Sequence, residues 1–199
     1  HAQMKAIPTG DWTAEFALRM NAGLVNGFGF IIADGTTNLT ADERHGLIDD
    51  AWALTVAGEL SGDEWLALAM SMKGEDDLTV WQALSAGFAG LERIASADSR
   101  VRLVDHMGAL AKPVLASLGA DPAPGDDDRT RELRATLVRL LGVVAADDAT
   151  IAASRDRLDH PDPTMAAAAL VVTAHSDAAE GPRIRARWQS AEDPQTEQR

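Results

Sequence analysis

Hydrophobic residues after Thr40 recur every three or four positions, which is the spacing of one face of an α-helix. The segment Thr40-Ala41-Asp42-Glu43 precedes the first of these stripes. It has the form of a capping box, in which a hydroxyl and a carboxylate satisfy the first free amides of a helix. The pattern therefore predicts a helix from about Thr40, with a buried face made of Leu47, Ile48, Ala51, Trp52, Thr55 and Val56.

The same spacing continues through most of the chain. Ser61-Gly62-Asp63-Glu64 is a second capping box, and it is followed by an apolar stripe of Trp65, Leu68, Ala69 and Met72. We predict further helices over residues 78–94 and 99–118, with a kink at Pro113 because proline lacks the amide donor. Residues 119–125, rich in Gly and Pro, read as a turn between helices.

Beyond that turn, a clean stripe predicts one more long helix, and shorter helices are predicted near residues 149–158, 163–174 and 180–191. The stripe consists of Leu133, Leu137, Leu140, Leu141 and Val144. Helices joined by short polar turns, without strands between them, are typical of stacked α-α arrays. The expected fold class is thus all-α, an α-α superhelix or HEAT-like helical array, although the lengths of its units are irregular.

The region before Thr40 has a different pattern. Phe16, Leu18 and Met20 alternate with other residues, and residues 28–32 form a second apolar run. Asn-Ala-Gly and Asn-Gly sequences lie between the two, and they favour tight hairpin turns. We expect a short N-terminal β-hairpin, the remnant of a preceding β-domain over residues 1–37, followed by a helical domain over residues 38–199.

Composition narrows the classes of function. The chain has 199 residues, a formal net charge of -13 and no cysteine. Such an acidic chain argues against nucleic acid as a partner, because phosphate binding needs clustered Lys and Arg. The sequence contains neither a run of about 18 apolar residues nor a secretory signal, so no membrane partner is expected. Without cysteine no disulfide forms, and the cytoplasm is the expected compartment.

Four segments resemble motifs of a known family. The run from Leu39 to Leu54, continued by Ala57-Gly58, is similar to a helix signature of the form Ser-x-x-Glu-Arg-x-x-Leu-Ile-Asp-Asp-Ala. Ahead of it, Asn26-Gly27-Phe28-Gly29-Phe30 looks like the glycine-aromatic strand of the same family. Asp76-Asp77-Leu78-Thr79-Val80-Trp81 and the segment from Pro124 to Arg134 look like two later motifs. Together they resemble the C-terminal helical domain of aminopeptidase N-like zinc metallopeptidases, the gluzincin aminopeptidases, of the bacterial type.

The resemblance implies a non-catalytic role. In that family a catalytic domain holds zinc with a His-Glu-x-x-His motif and a downstream Glu, and a Gly-x-Met-Glu-Asn segment binds the substrate's amino terminus. Neither motif occurs here, and none of the histidines, His1, His45, His106, His160 and His175, has a partner four residues away. We therefore expect no catalytic, cofactor-binding or metal residue in this chain, and no activity of the chain alone. Zinc is expected in the catalytic domain of the parent enzyme.

By the same resemblance, the domain would close over the active-site cleft of the parent and help to bind or select peptide substrates. Its expected partners are that catalytic domain and the peptides. One alternative is a free-standing helical-repeat scaffold that binds proteins through the same surface. Another is a catalytically inactive relative of the enzyme. An upstream His-Glu-x-x-His in the parent gene would distinguish them.

A few residues have side chains of the kind that form metal or ligand sites. His45 and Asp49 share a helix face with Asp50 adjacent, but two ligands make a poor metal site. The aspartates Asp126-Asp127-Asp128 lack the alternating spacing of a calcium loop, and we interpret them as a helix start. Tryptophans and the run of alanines are interpreted as packing residues: Trp52, Trp65, Trp81 and Ala166-Ala167-Ala168-Ala169.

The predicted hairpin has more apolar residues than two strands can bury. Two strands alone are marginal in water, and an exposed strand edge recruits other strands. We therefore expect the hairpin either to fold back onto the first helices, near Trp52 and Trp65, or to pair with a second copy of the chain. Of the two we favour self-association, because it covers the free strand edge and the apolar face together.

Overall fold

The structure is a computed structural model that describes Phe16–Arg19, Gly29–Ile32 and residues 39–189. Within these ranges, the side chains of both strands and of Ala178, Arg187 and Trp188 are not described. The chain divides after Thr40 into two compact units, residues 1–40 and residues 41–199. Each unit is described by itself.

The first unit contains two short strands, β1 (Phe16–Arg19) and β2 (Gly29–Ile32). They pair in antiparallel orientation, with Phe16 opposite Ile32 and Arg19 opposite Gly29. The residues between the strands, including both predicted turns, lie outside the described residues. The hairpin as a remnant of a β-domain, and a domain boundary after residue 37, therefore stay predictions.

Every described regular element of the second unit is helical, which confirms the all-α class. The helices are α1 (Ala41–Ala57), α2 (Gly62–Met70), α3 (Leu78–Ile94), α4 (Ala97–Leu118), α5 (Asp128–Arg139), α6 (Asp148–Arg155), α7 (Pro163–Ser176) and α8 (Gly181–Gln189). A π-helical segment, Leu140–Val144, follows α5, and a 3₁₀ turn, Ala178–Glu180, precedes α8. None of these described helices combines the length and the apolar character that crossing a membrane requires.

Most helix starts follow from local capping. The predicted capping box of α2 is confirmed, because Ser61 Oγ accepts the Glu64 amide at 3.3 Å and Glu64 accepts the Ser61 amide at 2.9 Å. α3 has the predicted bounds. α4 begins two residues earlier than predicted, since Ser96 caps it by accepting the Ser99 amide. α6 is shorter than predicted and ends at Arg155.

α1 and α3 run in the same direction. Near their starts, Arg44 in α1 binds Glu75 in the turn before α3. Farther along, the ring of Trp52 in α1 lies against Gly90 in α3. Two contacts at corresponding positions of the two helices fix them side by side and parallel.

α5 and α7 repeat this arrangement. Arg131 in the first turn of α5 faces Asp162 at the start of α7, and Gly142 of the π-helical segment lies against Val172 in the second half of α7. Because α3 also packs against α5, the helices α1, α3, α5 and α7 form one layer. Whether this layer belongs to a superhelix stays a prediction.

Aromatic side chains fill the core beneath the first three helices. Trp65 and Trp81 are fully buried and Trp52 is half-buried. Trp65 packs edge to face with Trp52, at a centroid distance of 5.7 Å, and with Phe88, at 5.3 Å. The tryptophans are packing residues, as the sequence predicted. A second cluster under the later helices has no aromatic member: Ala135, Val138, Met165, Ala168 and Val172.

The π-helical segment ends the α5 stripe in an unusual way. The Ala145 amide donates to the Leu140 carbonyl at 3.0 Å, and the Asp147 amide donates to the Leu141 carbonyl at 2.9 Å. Between these bonds Ala146 has a φ of 51°, a conformation that residues other than glycine seldom adopt. The widened turn brings Asp147 to the start of α6, where it caps the helix by accepting the Thr150 amide.

Candidate functional site at the N-terminal edge of the helical layer

The three motifs of the helical unit meet at one edge of the layer. We call it the N-terminal edge: the loops and first turns from which α1, α3, α5 and α7 begin, with the charged residues Arg44, Glu75, Asp77, Arg129, Arg131 and Asp162. These residues come from segments up to 118 positions apart, so only the fold brings them together.

Arg44 and Glu75 form a two-pronged ion pair that joins α1 to the turn before α3. Arg44 Nε lies 2.5 Å from Glu75 Oε2, and Arg44 Nη2 lies 2.9 Å from Oε1. The Glu75 side chain is only 1% exposed, and its Oε1 also accepts the amides of Asp76 and Asp77. The Glu75 carboxylate thus accepts hydrogen bonds from the Arg44 side chain and from two backbone amides. The bond to Glu75 also raises the pKa of Arg44.

The start of α3 adds a second bonded group to this turn. The buried Trp81 donates its indole N–H to the Glu75 carbonyl at 2.8 Å. Asp77 caps α3 by accepting the amides of Thr79 and Val80 and the Thr79 hydroxyl. Burial opposes ionisation of Asp77, but these hydrogen bonds outweigh it and lower the pKa of the carboxyl.

α5 reaches the helices on both of its sides through its first turn. Arg129 Nη2 donates to Asp77 Oδ2 at 3.0 Å, which ties α5 to the cap of α3. Arg131 Nε lies 3.6 Å from Asp162 Oδ2, and Asp162 is the cap of α7, where it accepts the Met165 amide. Both carboxylates therefore cap their own helix and face an arginine of α5 at the same time.

One turn later, Arg134 closes the loop between α4 and α5. Its side chain is fully buried and donates to the carbonyls of Leu118 at 2.8 Å and Gly119 at 3.1 Å, so it caps the end of α4. It also binds Asp126 at 2.7 Å. The Ala123 amide and then Arg134 lower the pKa of Asp126. The motif from Pro124 to Arg134 therefore contains the residues that fix the loop between α4 and α5 and those that begin α5.

The other residues weighed from the sequence do not converge. His45 is half-buried, and Asp49 and Asp50 are exposed on α1. Asp127 caps α5 by accepting the Thr130 amide at 2.8 Å, which agrees with the helix-start interpretation of the three aspartates. Ala166, Ala168 and Ala169 are buried in the face that α7 turns to its neighbours.

No group of three His, Asp or Glu side chains within the described ranges comes together in a way that would hold a metal ion. The described part of the chain therefore does not fit the zinc site of the resembled family. That the chain binds no metal stays a prediction.

The ion pairs of the N-terminal edge were not predicted from the sequence. The pairs Arg44–Glu75 and Asp77–Arg129 span 31 and 52 residues, far beyond the three or four that a helix face makes visible. The available signal was the presence of Arg44, Asp77, Arg129 and Arg131 inside the quoted motifs. A shallow groove of about 550 Å³ beside the start of α4 was also not predicted. It is lined by Ala95, Ala97, Arg100, Val101, Val104 and Asp105.

Comparison with known proteins agrees with the motifs. The profile of the family described as ERAP1-like C-terminal domain matches residues 27–199. No curated protein matches the chain. The match covers the helical unit and the strand ahead of it. The chain therefore belongs to the ERAP1-like C-terminal domain family, and it is a C-terminal domain of an aminopeptidase-like protein.

Proposed function

We propose that this domain is the non-catalytic C-terminal domain of an aminopeptidase N-like zinc metallopeptidase of the bacterial type. In this role it closes over the active-site cleft of the parent and helps to bind or select peptides. The family match over residues 27–199 carries the proposal. The cytoplasm is the proposed compartment, because a chain without cysteine has no need of an oxidising one.

The chemistry of the N-terminal edge supports a non-catalytic role. Its carboxylates face guanidinium groups, and they also accept backbone amides of the helices that they cap. Such groups hold helices in position and are not free to transfer protons to a substrate. The motif residues at this edge thus build the domain and leave bond cleavage to another part of the parent.

The arrangement of the helices supports a role in enclosing the active-site cleft of the parent. Parallel helices packed side by side, with other helices between them in sequence, are the elements of an α-α superhelix, which offers an extended surface to a partner. Zinc in the catalytic domain of the parent would supply the activated water for peptide hydrolysis. The domain would then act on specificity and on cleft closure.

The first experiment uses the chain alone. Incubation with amino-acid p-nitroanilides should give no turnover, and metal analysis should find no stoichiometric zinc. Turnover that persists through purification and is abolished by a chelator would contradict the proposal.

The second experiment uses the parent polypeptide with and without residues 41–199. We expect both forms to hydrolyse p-nitroanilides, whereas the shortened form loses the dependence of rate on peptide length. Adding the separate helical unit back is the matched control for damage by truncation. An unchanged length dependence would instead support the alternative of a protein-binding scaffold.

A further inference from the structure

The N-terminal edge is connected across the layer by one short segment of α5. Arg129 and Arg131 are two residues apart in the first turn of α5, and they face the caps of α3 and α7 respectively. The carboxylates of Asp77 and Asp162 each accept a hydrogen bond from a backbone amide of the helix that they cap. Through the hydrogen bond from Arg129 to Asp77 and the ion pair of Arg131 with Asp162, whose Nε and Oδ2 atoms are 3.6 Å apart, a shift of α5 at this edge acts on α3 and on α7 together.

The far ends of the same helices are held differently. Where α1, α3 and α5 end, no ion pair of the described residues joins one of these helices to another, and their contacts there are apolar, as at Trp52 on Gly90. Val56 and Ile94, near the ends of α1 and α3, are 71% and 77% exposed, so the prediction that Val56 belongs to the buried face of α1 is wrong. Apolar contacts have no preferred direction, whereas the charge-assisted hydrogen bond from Arg129 to Asp77 is directional.

We propose that the first turn of α5 is a two-sided clamp, which keeps the starts of α3 and α7 at a fixed separation so that α3, α5 and α7 move as one body. The inference does not depend on the proposed function, since it concerns motions within the helical unit. In the parent enzyme such a clamp would make this part of the domain turn as a rigid piece.

The clamp acts on geometry more than on stability. Arg129 and Arg131 are 59% and 37% exposed, and ion pairs with exposed partners contribute little to the free energy of unfolding. One hydrogen bond and one ion pair from the same turn nevertheless restrict the positions of both neighbouring helices. A clamp therefore predicts that its loss changes distances while the unfolding transition stays nearly in place.

The test measures distances between spin labels by electron paramagnetic resonance. The sequence has no cysteine, so introduced cysteines are the only labelling sites. One pair, Lys73→Cys with Pro161→Cys, spans the N-terminal edge, and a control pair, Arg93→Cys with Ala174→Cys, spans the far ends of α3 and α7. All four positions are exposed.

We expect Arg129→Gln combined with Arg131→Gln to broaden the distance distribution of the first pair and to leave the control pair unchanged. The urea midpoint should stay nearly the same. Arg129→Lys combined with Arg131→Lys, which keeps both charges, should broaden the first pair less. An unchanged first pair, or equal broadening of both pairs, would overturn the clamp.

A measurement on the chain without clamp substitutions covers the case in which the double variant fails to fold. Raising the salt concentration to about 1 M shortens the screening length to about 3 Å and weakens partly exposed ion pairs. The clamp then predicts broadening at Lys73→Cys with Pro161→Cys and none at the control pair. Salt independence of the first pair would overturn it.

Discussion

At the scale of single residues, the clearest feature is the pairing of glycines in α3 with tryptophans from other helices. Gly87 lies under the ring of Trp65, and Gly90 lies under the ring of Trp52. The apolar spacing of the sequence predicted that these tryptophans are buried. It did not predict that the tryptophan rings pack on Gly87 and Gly90, because glycine has no side chain to contribute to a hydrophobic pattern.

This feature makes Gly87→Ala a strong test of the packing. The new methyl carbon would lie 2.1 Å from Cζ2 of Trp65, whose side chain is fully buried and has little room to move. Overpacking of this kind costs about 1–3 kcal/mol, so the urea midpoint should fall. The matched control is Gly46→Ala in α1, where no atom lies within 4 Å of the new carbon. There alanine should stabilise the helix by about 0.5–1 kcal/mol. Equal effects of the two substitutions would mean that Trp65 does not occupy the hole at Gly87.

At the scale of elements, local signals predicted the helices well. The capping box at Ser61 predicted the start of α2, and the apolar stripe predicted the bounds of α3, since a cap and a stripe both act within a few positions. The π-helical turn after α5 and the order of the helices in the layer were not predicted. The ion pairs of the N-terminal edge were also missed, because their partners are brought together only by the packing of whole helices.

The start of α3 predicts how stability depends on pH. Hydrogen bonds to Asp77 place its pKa below the ordinary value near 3.8. The stabilisation by ionised Asp77 is therefore complete above about pH 4 and is lost as the pH falls through the pKa of the folded state.

We expect Asp77→Asn, which keeps a good capping residue but removes the charge, to be less stable at pH 7. The difference from the unmodified chain should shrink below about pH 4. Urea unfolding between pH 3 and pH 7 measures it, with Asp50→Asn, an exposed carboxylate of α1, as the control. A difference that is constant over this range would show that the charge of Asp77 does not contribute.

At the scale of the whole molecule, the family and the all-α class were accessible from the sequence. The family could be inferred because its motifs occur in the expected order along the chain, and that inference needs no knowledge of which residues are in contact. Self-association through the strand region rests on the sequence alone.

That expectation is tested by removing the strand region. Light scattering over a concentration series should show concentration-dependent association for the full chain and a monomer for a chain that starts at Asn38. The expected cause is the covering of apolar strand residues by a second copy. Two monomers of equal thermal stability would rule out a docking role for residues 1–37.

The π-helical segment has a consequence for the length of the chain. An α-helix turns by about 100° for each residue, so a chain that lacked one residue within Leu140–Val144 would close a regular turn and rotate everything after it by that angle. Asp147 would rotate together with α6 and leave its partner Lys112, which now lies 2.6 Å away. The number of residues at this point is thus as constrained as their identity. In an alignment of sequences, a gap opposite residues 140–144 would mark a protein in which α6 and α7 follow α5 in another direction.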